Sequence, residues 1–158
     1  MTTTEIKQTN GKATTERTTF SRTTSVSIEI KADPSIIWAL LTKASDYPRW
    51  NSTVTSIQGS IALGETILLK STLDAKRTFK LKVKEWEPEK RLAWGDGMGN
   101  RVYTLEKSAN GNVIFIMNEK IGGPVFPLFA KMIPSFDQSF EQFAKDLKKE
   151  SETIMNSK

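Results

Sequence analysis

Residues 32–51, which read ADPSIIWALLTKASDYPRWN, are the stretch that says most about the fold of this chain. Asp33 can accept hydrogen bonds from the free N–H groups of a first helical turn, and Pro34 suits the first helical position. Large apolar residues then recur at helical spacing and form one face: Ile37, Trp38, Leu40 and Leu41. Tyr47-Pro48 is expected to end the helical run, because the residue before a proline is pushed toward extended geometry.

Strands are predicted on both sides of this helix. Before it, Val26, Ile28 and Ile30 alternate with polar residues, which is typical of a strand with one buried face. Asn110-Gly111 is a strong hairpin signal, and the glycine-rich segment 95–100 is interpreted as a turn because strands flank it on both sides. Apolar runs after the helix predict further strands at residues 53–58, 65–73, 78–87, 91–95, 101–107 and 112–120.

A long amphipathic helix is predicted at the C-terminal end, with Ser135 as its capping residue. Its apolar residues lie on or near one face: Phe136, Phe140, Phe143, Leu147 and Ile154. Strands that are segregated from helices indicate an α+β fold with an antiparallel sheet of six or seven strands. The last helix is the element long enough to cover the apolar face of that sheet.

Three parts of the chain resemble the START-like (SRPBCC) superfamily, which includes the polyketide cyclase/dehydrase and lipid-transport families and the birch-pollen-allergen fold. The first part is the strand and helix described above together with Trp50-Asn51, which follow the end of that helix. The second is the hairpin VKEWEPEKRLAW at residues 83–94, and the third is the long C-terminal helix. Together they span roughly residues 20–155. The resemblance implies a helix-grip fold, in which a curved sheet wraps the C-terminal helix and leaves a ligand cavity between them.

Composition excludes several chemistries. The chain has no cysteine and no histidine, so a disulfide, a thiol nucleophile, an imidazole base and the usual zinc ligands are all excluded. We expect no metal and no cofactor. The net charge of +5 is mild. Lys80, Lys82 and Lys84 are interpreted as the solvated face of a strand rather than as a nucleic-acid surface, because no aromatic residues interleave with them.

The domain organisation is predicted from polarity. Residues 1–19 contain eight threonines and few apolar groups, so they are expected to form a disordered polar tail, followed by a single START-like domain at residues 20–158. No apolar leader is expected at the start, and no run reaches the roughly 20 apolar residues that a membrane span needs. A cytoplasmic location is therefore expected.

The predicted function is the binding of a small hydrophobic molecule, lipid or polyketide-like, in an internal cavity. Arg101 and Glu119 are the candidate polar anchors, and the Gly122-Gly123 pair is a candidate hinge for the segment that follows it. No catalytic residue is assigned. Two alternatives stay open: a polyketide cyclase or dehydratase that uses the same cavity, and a module that binds a partner protein. The candidate ligand-binding residues are Trp38, Trp50, Trp94, Tyr103, Phe115, Met117, Phe126, Phe129, Met132, Phe136, Phe140 and Phe143.

Overall fold

The computed structural model describes residues 8–158. Its single antiparallel sheet has eight strands in the order β1-β2-β8-β7-β6-β5-β4-β3. The strands are β1 Thr14–Arg17, β2 Ser21–Ile30, β3 Val54–Gln58, β4 Thr66–Ser71, β5 Asp74–Glu87, β6 Arg91–Gly95, β7 Gly99–Lys107 and β8 Val113–Gly122. The helices are α1 Pro34–Thr42, α2 Tyr47–Trp50, α3 Phe126–Phe129 and α4 Asp137–Asn156, with 3-10 turns at Ala44–Asp46 and Ala130–Met132.

The sheet is connected by one crossover and a series of hairpins. The chain leaves β2, crosses through α1 and α2, and enters β3 at the far edge of the sheet. Strands β3 to β8 then return as consecutive hairpins, until β8 pairs antiparallel with β2. The α+β class and the helix-grip arrangement predicted from the sequence are confirmed, and the sheet has eight strands instead of the six or seven expected.

The core lies between the concave face of the sheet and α4. Phe143 of α4 is fully buried, and its ring centroid lies 5.7 Å from that of Trp50, 5.6 Å from Tyr103 and 6.1 Å from Phe115. Each such aromatic side chain removes a large apolar area from water, so this cluster is a main source of stability. It fixes α4 against the middle of the sheet.

The additional strand is β1, which lies within the segment predicted to be a disordered tail. Thr15 pairs with Thr24 of β2 and donates a hydrogen bond from its hydroxyl group to the carboxylate of Asp137. The backbone N–H of Ala13 donates to Glu141 of α4 at 3.2 Å. Pairing with an edge strand thus orders a polar segment that has no apolar face of its own, and the remaining part of the tail prediction, residues 1–7, lies outside the described residues.

The helix ends differ from the sequence-based expectations. Asp33 precedes α1 in extended geometry but its side chain makes no capping hydrogen bond. Helix α1 ends at Thr42, and Pro48 lies in the first turn of α2 instead of ending the helical run. Helix α4 begins at Asp137, whose N–H donates to the Ser135 hydroxyl at 3.3 Å. A proline fits a first turn because that position has no N–H partner within the helix.

Candidate ligand-binding site

A cavity of about 270 Å³ opens between the concave face of the sheet and the segment that leads into α4. Strands β4 and β5 form one wall, the β6–β7 turn forms the rim, and residues 132–136 lie opposite. Its lining is mostly apolar, so a bound molecule would exchange water for hydrocarbon contacts. The lining residues are Leu69, Ser71, Leu73, Asp74, Arg77, Phe79, Leu81, Trp94, Gly95, Asp96, Met98, Gly99, Arg101, Glu119, Ile121, Met132, Ile133, Pro134 and Phe136.

The rim at the β6–β7 turn is built by a local hydrogen-bond motif. The carboxylate of Asp96 accepts the backbone N–H groups of Met98 at 2.8 Å and Gly99 at 2.9 Å. A Cβ atom at Gly95 would lie 2.3 Å from the carbonyl oxygen of Gly99, so this close approach of two backbones requires glycine. The segment read from the sequence as a turn rather than a nucleotide-binding loop is therefore a tight hairpin turn.

An ion pair lies on the inner wall of the cavity. Arg101 of β7 and Glu119 of β8 face each other in the sheet register, and the Arg101 Nε donates to Glu119 at 2.9 Å. Their side chains are 10% and 18% exposed. A charge with so little access to water is costly without a partner of opposite sign, so each group of the pair offsets the cost of burying the other.

The surroundings of Arg101 fix the direction of its guanidinium group. The group lies 5.0 Å from the centre of the Phe140 ring, which adds a cation–π contact. Burial acts to lower the pKa of Arg101, but the charge of Glu119 and the neighbouring Tyr103 outweigh it and raise the pKa above its usual value. Arg101 is therefore a permanent cation.

Tyr103 is the neighbouring inward-facing residue on β7, and it is 1% exposed. Its hydroxyl group makes no hydrogen bond of good geometry with the described residues, but it lies close enough to the Arg101 guanidinium to interact with it. Burial raises the pKa of Tyr103 to about 12, although the charge of Arg101 opposes that rise. The hydroxyl group therefore stays protonated at neutral pH.

A second buried arginine holds the segment that closes the cavity. Arg22 of β2 donates to the carbonyl oxygens of Ile133 at 3.2 Å and Pro134 at 2.8 Å. Its guanidinium lies 4.6 Å from the centre of the Phe136 ring, which stacks on Phe140 with an interplanar angle of 8°. The two arginines thus hold a stacked pair of phenylalanine rings between them, and Arg22 fixes the backbone that forms one cavity wall.

The outer part of the cavity carries further charges. Arg77 of β5 lies with its guanidinium 4.6 Å from the centre of the Phe79 ring. Asp74, at the start of the same strand, also lines the cavity. Both residues are exposed, so they meet water as well as the cavity, and their charges are better screened than the Arg101–Glu119 pair.

The structure places some of the predicted site residues at the cavity and others away from it. Arg101 and Glu119, the predicted polar anchors, lie together on the cavity wall with Trp94, Met132 and Phe136. The half-buried Phe129 lies in α3, outside the lining. The remaining predicted residues are buried in the core rather than at the cavity surface: Trp38, Trp50, Tyr103, Phe115, Met117, Phe126, Phe140 and Phe143.

The cavity wall formed by β4 and β5 was missing from the predicted site. Leu69 alternates with exposed residues along β4, and Phe79 and Leu81 do so along β5. This alternation is visible in the sequence and predicts an inward face, but it does not tell which inward residues border empty space. Ile133 and Pro134 were missed because their position depends on the Arg22 contacts.

Residues 8–158 were also searched for metal-ligand clusters and for membrane-spanning helices. Within that range, no group of three or more acidic, histidine or cysteine side chains is arranged to hold a metal ion. None of the helices described there combines the length and apolar character that crossing a membrane requires.

The eight-stranded grip on α4 and the cavity beside it define a START-like protein. The sequence model for the family described as polyketide cyclase / dehydrase and lipid transport matches residues 21–152, and the chain belongs to that family. Among proteins with curated descriptions, none matches the chain significantly.

Solved structures share the fold at low sequence identity. A conserved protein of unknown function from Enterococcus faecalis is 17% identical, with a TM-score of 0.64 over 90% of this chain and 78% of its own. A hypothetical protein from Helicobacter pylori is 19% identical, with a TM-score of 0.64 over 80% of this chain and 86% of its own. A START superfamily protein from Mycobacterium smegmatis is 13% identical, with a TM-score of 0.61 over 84% of this chain and 98% of its own.

Proposed function

We propose that this protein binds one small hydrophobic molecule, lipid or polyketide-like, in the cavity between the sheet and the segment leading into α4. The observation that carries the proposal is a mostly apolar cavity with one buried ion pair on its wall. Apolar walls with a few fixed polar groups are the usual composition of small-molecule sites. Membership of the polyketide cyclase / dehydrase and lipid transport family supports the same class of ligand.

The size of the cavity limits the ligand. A volume of about 270 Å³ lies just below the range of roughly 300–1,000 Å³ that drug-sized ligands occupy. A compact molecule of two or three rings, or one short acyl chain, suits this space. A lipid with two long chains would need the segment at residues 132–136 to move away from the sheet.

The proposal is tested with a neutral fluorescent probe, N-phenyl-1-naphthylamine, and two matched variants. Leu69 is 5% exposed and lines the cavity, whereas Leu68 is 38% exposed and points to the other face of the same strand. We expect saturable binding of one probe per chain, loss of that binding in Leu69→Trp, and unchanged binding in Leu68→Trp. Thermal unfolding followed by circular dichroism checks that both variants fold.

Either of two results would contradict the proposal. One is an absence of saturable probe binding to the wild-type protein. The other is equal binding by Leu69→Trp and Leu68→Trp, which would mean that the probe binds outside the cavity. A cytoplasmic location for this binding remains a prediction from composition.

The ion pair on the cavity wall also favours a second candidate, a polyketide cyclase or dehydratase activity. A carboxylate beside an apolar cavity is a candidate general base for the removal of a proton from a carbon acid, and the neighbouring guanidinium could stabilise the enolate that forms. Conversion of a bound poly-β-keto compound by the wild-type protein and its loss in Glu119→Gln would support this activity. Recovery of the compound unchanged from both proteins would count against it.

A further inference from the structure

Three segments of the chain meet at the end of the sheet where the cavity opens. The backbone N–H of Gly122, at the end of β8, donates to the carbonyl oxygen of Met98 in the β6–β7 turn at 2.9 Å. The N–H of Gly123 donates to the carbonyl oxygen of Phe20 in the β1–β2 turn at 3.0 Å. The segment that follows β8 continues from this junction into α3. These hydrogen bonds hold the three segments side by side, so their exposed side chains form one surface.

Large apolar side chains protrude from all three segments. They are between 43% and 79% exposed and form what we call the mouth patch: Phe20, Met98, Val125, Leu128 and Met132. Two of them, Met98 and Met132, also line the cavity, so the mouth patch borders its opening. Contiguous exposed apolar side chains typically mark a site that binds a protein or a membrane.

Basic side chains flank the mouth patch. Arg17 ends β1 beside the β1–β2 turn, Lys120 lies near the end of β8, and Lys131 lies in the 3-10 turn after α3. Lys82 pairs with Gly95 just before the β6–β7 turn, so the lysines of β5 reach the same end. Five of these cations are exposed and form no ion pair within residues 8–158: Arg17, Lys80, Lys82, Lys120 and Lys131.

The acidic side chains at this end are partly engaged by other groups. The carboxylate of Asp96 accepts two backbone N–H groups of its own turn, and the carboxylate of Asp137 accepts the hydroxyl hydrogen of a threonine in β1. Glu16 and Asp74 are exposed, and Arg77 adds a further cation beside them. Basic groups therefore outnumber acidic ones around the mouth patch.

A fluid lipid surface fits this arrangement better than a second protein does. A protein interface needs close shape complementarity at its core, whereas the apolar side chains of the mouth patch stand on three separate segments. Lipid headgroups and acyl chains adapt to an uneven surface. Apolar side chains with basic residues around them are the usual composition of surfaces that bind anionic membranes.

We infer that this protein binds reversibly to the surface of anionic lipid bilayers through the mouth patch, with the cavity opening toward the lipid. Leu128 and Met132, the most exposed large apolar side chains of the described residues, enter the boundary between headgroups and acyl chains. The flanking basic side chains contact the lipid phosphates. This inference goes beyond the proposed function, because binding to the surface needs no ligand in the cavity.

Single-cysteine labelling tests which surface faces the lipid. The chain has no cysteine, so Leu128→Cys and Leu63→Cys each carry one thiol, which is labelled with the environment-sensitive dye NBD. Leu63 lies in the β3–β4 turn, outside the mouth patch, and is 63% exposed, so it is the matched control. Phosphatidylcholine vesicles that contain about 30% phosphatidylglycerol supply the anionic surface. We expect NBD emission to rise at least about twofold at residue 128, where the dye leaves water, and to stay unchanged at residue 63.

Co-sedimentation of the full chain with the same vesicles measures the contribution of the apolar side chains. We expect Val125→Ser/Leu128→Ser to bind at least about tenfold more weakly than the wild-type protein, because two aliphatic side chains no longer leave water. Neither residue lines the cavity, so this variant should still bind N-phenyl-1-naphthylamine. Leu63→Ser should bind the vesicles as the wild-type protein does, and circular dichroism checks that each variant folds.

Charge variants test the contribution of the basic residues. We expect Lys120→Gln/Lys131→Gln to bind the anionic vesicles more weakly than the wild-type protein, and the wild-type protein to bind pure phosphatidylcholine more weakly than the anionic vesicles. Lys145→Gln/Lys149→Gln removes the same charge from the exposed face of α4. It is the matched control and should bind as the wild-type protein does.

The outcomes separate this inference from the proposed function. The inference is wrong if the wild-type protein does not sediment with the anionic vesicles, or if NBD emission changes equally at residues 63 and 128. It is also wrong if the vesicles do not bind and analytical ultracentrifugation shows self-association that Val125→Ser/Leu128→Ser abolishes, because a second copy then covers the patch. Probe binding is measured without vesicles. Vesicle binding without probe binding therefore overturns only the proposed function, and the reverse result overturns only this inference.

Discussion

The Arg101–Glu119 pair provides a quantitative test of how the cavity wall is stabilised. The perturbation is a double-mutant cycle made of Arg101→Met, Glu119→Met and the combination of both. Breaking a fully buried ion pair costs about 3–5 kcal/mol, whereas replacing both partners by apolar side chains is often close to neutral. Because the two side chains keep 10% and 18% exposure and border a cavity, we expect about 2 kcal/mol for each single variant.

The double variant is expected to lose only about 1 kcal/mol, which gives a coupling energy of about 3 kcal/mol between the two residues. The free energy of unfolding is measured by urea denaturation at pH 7 and followed by tryptophan fluorescence and circular dichroism. For a chain of this size, the single variants should lower Tm by roughly 4–8 °C. If the double variant instead loses the sum of the unfolding free energies that the two single variants lose, the reasoning is refuted.

A surface pair of the same chemistry serves as the control. Arg91 and Glu85 are also 2.9 Å apart, but their side chains are 44% and 47% exposed. A cycle at this pair should give a coupling energy below about 1 kcal/mol, because water and salt screen exposed charges. Similar coupling at both pairs would mean that burial is not the source of the difference.

Three further predictions concern side chains around the site and the first helices. Arg22→Met should cost about 2 kcal/mol and speed hydrogen exchange at residues 133–136, since it removes two hydrogen bonds from a charged donor; unchanged exchange would contradict the role of Arg22. Tyr103→Phe should change stability by less than about 1 kcal/mol, because the buried hydroxyl group makes no hydrogen bond of good geometry and only its interaction with Arg101 is lost; a loss above about 1 kcal/mol would contradict this. The hydrogen bond from Arg49 lowers the pKa of Asp46 in the folded protein, so the unfolded chain binds the proton at higher pH and the stabilisation is lost on acidification. Asp46→Asn should therefore cost about 0.5 kcal/mol at pH 7 and nothing at pH 2; an equal cost at both pH values would contradict this.

The secondary structure was predictable where neighbouring residues determine it. Apolar alternation in β5 and the proline-initiated α1 follow from local spacing, and the turn at Asn110-Gly111 follows from its residue types. The strand β1 was not predictable in this way, because Thr14–Arg17 has no apolar face and is ordered by pairing with β2 and by contacts with α4.

The site was predictable in its polar part and less so in its apolar part. Arg101 and Glu119 lie on adjacent strands of one hairpin, so the sequence brings them into register. The position of the cavity, by contrast, was not predictable from neighbouring residues. It depends on how Phe140 and Phe143 pack against the sheet and on how Arg22 holds Pro134, and these are contacts between residues far apart in the chain.

The most direct test of ligand binding in the cavity is native mass spectrometry of the protein purified gently from its own host, together with Leu69→Trp and Leu68→Trp prepared in the same way. We expect one adduct of an apolar molecule per chain on the wild-type protein and on Leu68→Trp, and no adduct on Leu69→Trp, whose larger side chain fills the cavity. Bare masses for all three proteins, or an adduct that persists on Leu69→Trp, would contradict binding in this cavity.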